Sequence, residues 1–125
     1  MRAIERAALL GTLALCAACT GGRAESVAVL ATGGDAQRGA ALIREFGCGA
    51  CHTIPGIRAA AGLVGPPLLF WSRRTFIAGE LPNTPENLIR WMRDPPSVEP
   101  RTAMPVLGLN EQQARDIAAY LYTLR

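Results

Sequence analysis

Cys48-Gly49-Ala50-Cys51-His52 is the stretch on which the reading of this chain turns. Two thiols three residues apart, followed at once by an imidazole, have the C-x-x-C-H spacing at which haem is attached covalently. The reason is geometric. On one turn of chain both thiols can add across the vinyl groups of a single porphyrin, and the adjacent histidine is presented to the iron from the same face. Imidazole nitrogen suits iron. Other uses of the same residues fit less well. A structural zinc site takes four ligands, and no second Cys/His cluster follows residue 52. A thioredoxin-like pair belongs at a strand-to-helix junction of a βαβ pattern, which is absent. A plain Cys48–Cys51 disulfide would leave His52 without a role. The expectation is one haem c, held by Cys48 and Cys51 and ligated by His52.

His52 is the sole histidine, so the opposite side of the iron needs a different ligand. The three methionines supply it. Met1 opens a leader expected to be removed. Met92 stands four residues after Leu88, inside a predicted helix, as a core side chain would. Met104 lies in an irregular stretch and is followed by Pro105, which restrains the backbone. Met104 is therefore the expected second ligand; the alternative is a loop methionine that only covers the haem edge. A His/Met pair favours iron(II) relative to two histidines. It also fills both axial positions, which leaves one-electron transfer at the haem edge and no vacant site for substrate.

Working outward from the motif, helices and loops alternate. Asp35 is a good N-cap, and Gly39, Leu42, Ile43 and Phe46 then repeat at i, i+3, i+4, i+7 until Gly47. Residues 53–82 are dense in proline and glycine and read as loop, with a short helix about Leu68–Arg74. Thr84-Pro85-Glu86 caps a helix running to about Arg93, before Pro95 and Pro96. Asn110 and Gln113 form a capping box for a last helix with Ala114, Ile117, Ala118, Leu121 and Leu124 on one face. No alternating strand pattern is evident. The fold class is all-α, three to four helices with long loops. Loops of that length stay ordered when they wrap something other than side chains.

Residues 1–18 read as a leader. Arg2 and Arg6 precede an uncharged run, Ala7 to Ala18, too short to span a bilayer, which takes about 20 residues. Leu15-Cys16-Ala17-Ala18-Cys19 is similar to a bacterial lipoprotein processing site, with Cys19 the residue to be lipidated. Ordinary cleavage after Ala18 would give the same N-terminus without lipid. Residues 19–34 are small and Gly-rich and read as a flexible tether, so the domain proper is 35–125. The chain of 125 residues has room for one such domain. Its thirteen basic residues are all arginine, and the net charge of +3 is scattered, which gives no case for nucleic acid.

Taken together, Gly47–Ile54, Val64-Gly65-Pro66-Pro67-Leu68, Ser72-Arg73-Arg74-Thr75, Leu81–Leu88, Trp91–Pro95 and Met104-Pro105 resemble the class I cytochromes c. They are most similar to the cytochrome c domain fused to subunit II of some bacterial haem–copper oxidases. The resemblance implies a cytochrome c fold over most of 35–125. It implies that the Pro66 carbonyl accepts a hydrogen bond from the ring N–H of His52, fixing its tautomer. Gly39 corresponds to the small residue that lets the last helix approach the first, Tyr120 to the aromatic packed against it, and Thr102 to a hydroxyl near a haem propionate. Arg73, Arg74 and Trp91 are weaker propionate partners.

No copper domain or paired membrane helices precede the haem domain in this sequence, so a free-standing module rather than an oxidase subunit II is expected. The expected role is an exported one-electron carrier on the periplasmic side of a bacterial membrane. Its partners would be redox proteins, with a membrane-bound oxidase one of them. A haem subunit of a dehydrogenase or oxidase complex is the alternative. A haem peroxidase or a gas sensor with a labile sixth ligand would need an open iron position.

Overall fold

The computed structural model describes residues 27–125. The leader, Cys16 and Cys19 lie outside the described residues. Three α-helices lie wholly within the described residues: α1 (Ala36–Glu45), α2 (Pro85–Arg93) and α3 (Glu111–Thr123). Short 3-10 turns at Cys48–Ala50, Trp71–Arg73 and Pro95–Ser97 punctuate the loops. One antiparallel ribbon, β1 (Phe76–Ile77) and β2 (Leu81–Pro82), pairs Ile77 with Leu81. The ribbon is too short to leave an alternating pattern in the sequence. The helix expected about Leu68–Arg74 is reduced to the Trp71–Arg73 turn, entered through Phe70 at φ 51°. A left-handed residue cannot propagate a right-handed helix across itself.

Each helix starts where its side chains satisfy the orphan N–H groups. Asp35 accepts from the Arg38 N–H at 2.8 Å, and Thr84 from the Asn87 N–H at 3.3 Å with Pro85 following. Asn110 and Gln113 bond each other's backbone N–H reciprocally, both at 2.9 Å. At the far end of α3 the Leu124 carbonyl takes the backbone N–H and the hydroxyl of Ser72. Gly47, at φ 68°, turns the chain out of α1 into the Cys48 segment.

The core is the space between α1, α2 and α3, filled by Ile43, Ile77, Leu88, Met92, Ile117 and Leu121. Two glycines allow its closest approach. A Cβ at Gly39 would stand 2.0 Å from the Asp116 carbonyl oxygen, so the α1–α3 crossing needs a residue without one. Gly34 meets the Arg115 carbonyl oxygen in the same way, at 2.1 Å. Between these contacts sits the buried Asp116 carboxylate, only 3% exposed. It accepts from the Asp35 N–H (2.8 Å), Arg38 Nε and Nη2 (3.0 and 3.1 Å) and Gln112 Nε2 (3.0 Å). Burial alone would raise its pKa, but the donors from Arg38, Asp35 and Gln112 outweigh it and hold the carboxyl below its ordinary value.

The flexible reading of residues 19–34 does not hold for 27–34. Residues 27–32 are helical, with Ala28 and Thr32 buried. Arg115 Nη1 donates to the Thr32 carbonyl at 2.9 Å and Gln112 Nε2 to the Gly33 carbonyl at 3.4 Å. The segment is thus fastened to α3, and the ordered chain starts ahead of residue 35.

Candidate haem site

The Cys48–His52 segment is held by backbone bonds to the loop that follows it. Gly62 N–H donates to the Gly49 carbonyl (3.0 Å), Gly65 N–H to the Cys51 carbonyl (2.8 Å) and Leu68 N–H to the Thr53 carbonyl (2.8 Å). Thr53 and Ala61 form an isolated bridge. The long loop is therefore ordered by laying its backbone along the motif. Glycines make this possible. A Cβ at Gly62 would stand 2.4 Å from the Ala50 carbonyl oxygen, and one at Gly49 2.7 Å from the Ala60 Cα.

Cys48 and Cys51 are free thiols, both half-buried. Burial pushes the Cys48 thiol above its ordinary pKa, so it stays a neutral S–H at physiological pH. His52 Nδ1 lies 2.7 Å from the Pro66 carbonyl oxygen. A carbonyl only accepts, so Nδ1 carries the proton and Nε2 keeps its lone pair. Gly65 packs flat on the imidazole: a Cβ there would lie 2.3 Å from Cε1, 2.7 Å from Nδ1 and 2.9 Å from Nε2. The ring is thus fixed by one hydrogen bond at its edge and by backbone against its face.

Met104 is half-buried and packs against the same core that Cys48 and Leu68 touch. Its backbone N–H donates to the Thr102 hydroxyl at 3.1 Å, a local turn that sets the loop just ahead of Pro105. Met92 is 5% exposed and belongs to the core, as its helical spacing implies. Arg74 spends its guanidinium on the Pro67 and Leu69 carbonyls and lies over the Trp71 ring, while Arg73 lies over Phe70. Trp91 is half-buried against the core.

The donor set suits a covalently held haem. Two free thiols, one imidazole with a single unprotonated nitrogen and one loop thioether are what such a group uses. Among the described residues, no cluster of three or more His, Cys, Asp or Glu is placed to hold a metal ion without it.

Two features here are not legible in the sequence: the role of Gly65 and the partner of the Tyr120 hydroxyl. Gly65 looks like an ordinary turn glycine beside Pro66, and only the distance to His52 shows that its missing Cβ makes room for the ring. Tyr120, expected to pack against Gly39, donates its hydroxyl to the Pro55 carbonyl at 2.6 Å, beside Gly56. It thereby ties α3 to the loop after His52.

Residues 36–125 match the family model described as Cytochrome c. Among curated proteins, the chain is 35% identical over 91 residues to cytochrome c oxidase subunit 2 of Alkalihalophilus pseudofirmus, covering 72% of this chain and 26% of that one. It is 35% identical over 94 residues to the protein of the same name from Bacillus sp. strain PS3, again 72% and 26%. The Bacillus subtilis protein of that name is 34% identical over 71 residues, 55% of this chain and 20% of that one. The chain thus spans about a quarter of the length of these relatives. No solved structure matches it significantly. A family match over most of the described residues, on three helices and long loops gathered around a C-x-x-C-H segment, shows that the chain belongs to the cytochrome c family.

Proposed function

We propose that this chain is a mono-haem electron carrier in which Cys48 and Cys51 hold the haem through thioethers and His52 and Met104 ligate the iron. The observation that carries the reading is the Nδ1–H···O=C bond from His52 to Pro66, which leaves Nε2 as the one ring nitrogen free to bind a metal. The haem, when bound, supplies one-electron chemistry. The chain's own residues set its conditions. Gly65 and Pro66 orient the imidazole, Thr102 and Pro105 set the Met104 loop, and the buried core behind Met104 limits water. With His52 and Met104 both holding the iron, the domain would transfer electrons rather than transform a substrate, which separates it from a peroxidase or gas sensor. The leader motif supports export to the periplasmic side of a bacterial membrane, with Cys19 as the lipid attachment point. The partners are then other redox proteins.

A second reading has its own support. The curated relatives are named cytochrome c oxidase subunit 2, which favours service as the haem-bearing part of an oxidase assembly or as its direct electron donor.

The test is the ligand set of the oxidised, haem-loaded protein. Low-spin iron with a methionine-to-iron charge-transfer band is expected. Met104→Ala should abolish the band and Met92→Leu should keep it. High-spin iron, or rapid carbon monoxide binding by the reduced wild type, would overturn the carrier reading. Loss of the band in Met92→Leu alone would overturn the choice of Met104.

A further inference from the structure

The helical residues 27–32 differ in exposure. Ala28 and Thr32 are buried, and Arg115 of α3 donates to the Thr32 carbonyl. Val27 and Leu30, three residues apart and so neighbours on the helix surface, are 53% and 86% exposed. An open groove runs from Val27 and Ala31 to Arg73 and Arg125. Arg73 in turn lies 5.7 Å over the ring of Phe70, which is 56% exposed. Phe70 is held in the left-handed region, where a bulky side chain is strained. An aromatic kept in a strained conformation with its ring in solvent contributes little to the core. The face thus combines an aliphatic pair, an exposed aromatic and two arginines with long apolar stems. That is the composition of a surface lying at a membrane interface, where the apolar groups dip inward and guanidinium groups stay among headgroups.

The chain before this face points to the same occupant. The apolar run Ala7–Ala18 and Cys19 precede Val27 directly, with seven residues between Cys19 and Val27. Even fully extended, that connection reaches only about 25–30 Å. A domain anchored at Cys19 therefore keeps the Val27 face close to the bilayer.

We propose that Val27, Leu30, Phe70, Arg73 and Arg125 form a surface that rests on an anionic lipid bilayer and orients the haem domain on it. The proposal rests on the exported, membrane-anchored reading of the leader and adds to it which face meets the lipid. Arginine and anionic headgroups supply the attraction, and each such residue near the surface changes partitioning about fivefold.

The experiment places a nitroxide on the matured, haem-loaded chain, whose Cys48 and Cys51 are consumed as thioethers and whose Cys19 carries the lipid; where intact mass shows no lipid, Cys19→Ser keeps the label at one site. One label is at Leu30→Cys and a comparison label at Arg101→Cys, exposed in the loop before Met104. The probe is vesicles of phosphatidylglycerol mixed with phosphatidylcholine. The Leu30 label should become accessible to oxygen and shielded from an aqueous nickel complex, while the Arg101 label stays in water. Arg73→Gln should lower the shielded-to-exposed ratio about fivefold, and vesicles of phosphatidylcholine alone, which remove the attraction of both arginines, about 25-fold. A Leu30 label as open to nickel as the Arg101 label overturns the proposal, whether or not the chain is anchored. Intact mass of the matured chain reads the anchor separately, so a bound acyl group with an exposed Leu30 label sinks the face and leaves the anchor standing. Shielding of Leu30 without vesicles, at twice the monomer mass, would assign the face to a second copy and equally overturn it.

Discussion

Replacing Gly65 by alanine probes how the imidazole of His52 is held. The new Cβ would lie 2.3, 2.7 and 2.9 Å from three ring atoms, so the ring, or the backbone beside it, must retreat by about 1 Å to reach ordinary contact. Neither can do so freely. The Gly65 N–H is bonded to the Cys51 carbonyl at 2.8 Å, and Nδ1 to the Pro66 carbonyl at 2.7 Å. Moving the ring by that amount along its normal swings Nδ1–H out of line with the Pro66 carbonyl and weakens the second bond, a loss of up to about 1 kcal/mol. The forced shift itself costs about 1–3 kcal/mol, so the variant should be less stable by about 1–4 kcal/mol. The assay is denaturant unfolding of the haem-loaded protein, with the oxidised spectrum recorded alongside. A rise in high-spin iron should accompany the loss, because the ring proposed as its ligand has turned. Gly79→Ala is the comparison. It has open space and φ +77°, so it costs about 1 kcal/mol in backbone conformation and leaves the spectrum unchanged. If Gly65→Ala matched Gly79→Ala in both stability and spectrum, the argument that backbone packing fixes His52 would be wrong.

Asp116→Asn should cost about 1–2 kcal/mol at neutral pH, because an amide presents N–H groups where the carboxylate accepts, while exposed Arg38 can turn to water. The folded carboxyl titrates below its ordinary value. Its contribution is therefore complete above about pH 4 and is lost as pH falls through the folded pKa, and acid unfolding of the variant should lack that component. Burial, then the charge of Glu86, push the Tyr122 hydroxyl up to about 12, with the Trp71 indole opposing. The stability this gives is complete below about pH 10 and lost between about pH 10 and 12, and phenolate absorbance of wild type against Tyr122→Phe should show the late titration. A Tyr122 that titrates at the ordinary tyrosine value would contradict it. The chain has no lysine, so any high-pH exchange of Met104 should give an iron spectrum without side-chain amine coordination; an amine-ligated form would refute this.

How far these features could be read from sequence depends on how local their causes are. The caps at Asp35, Thr84 and Asn110 act within three residues, and so α1, α2 and α3 start where propensity and spacing put them. The Cys48–His52 segment carries its chemistry in five consecutive letters. The structure sets His52 on Pro66, fourteen residues on, a pairing that spacing alone does not give and that came with the family likeness. What was not legible depends on distant backbone. Asp116 lies on a helix face between Ala114 and Ile117, and an acid there reads as surface until Arg38 and the Asp35 N–H are seen to converge on it. Gly34 and Gly65 are informative through the Cβ they lack, and a missing atom has no periodicity. Residues 27–32 look like tether in sequence because Val27-Ala28-Val29-Leu30 is short and flanked by glycines; only Arg115 and Gln112, about eighty positions on, show where it docks.

That docking has a mechanical corollary. A pull on the chain ahead of residue 27 would load residues 27–34 before the Cys48 loop, and there it meets the wedge of Gly34 beneath Arg115 and the two side-chain bonds from α3. Rupture would start by peeling this segment from α3, well before strain reached the Cys48 loop, which is thereby sheltered from a load on the chain ahead of it.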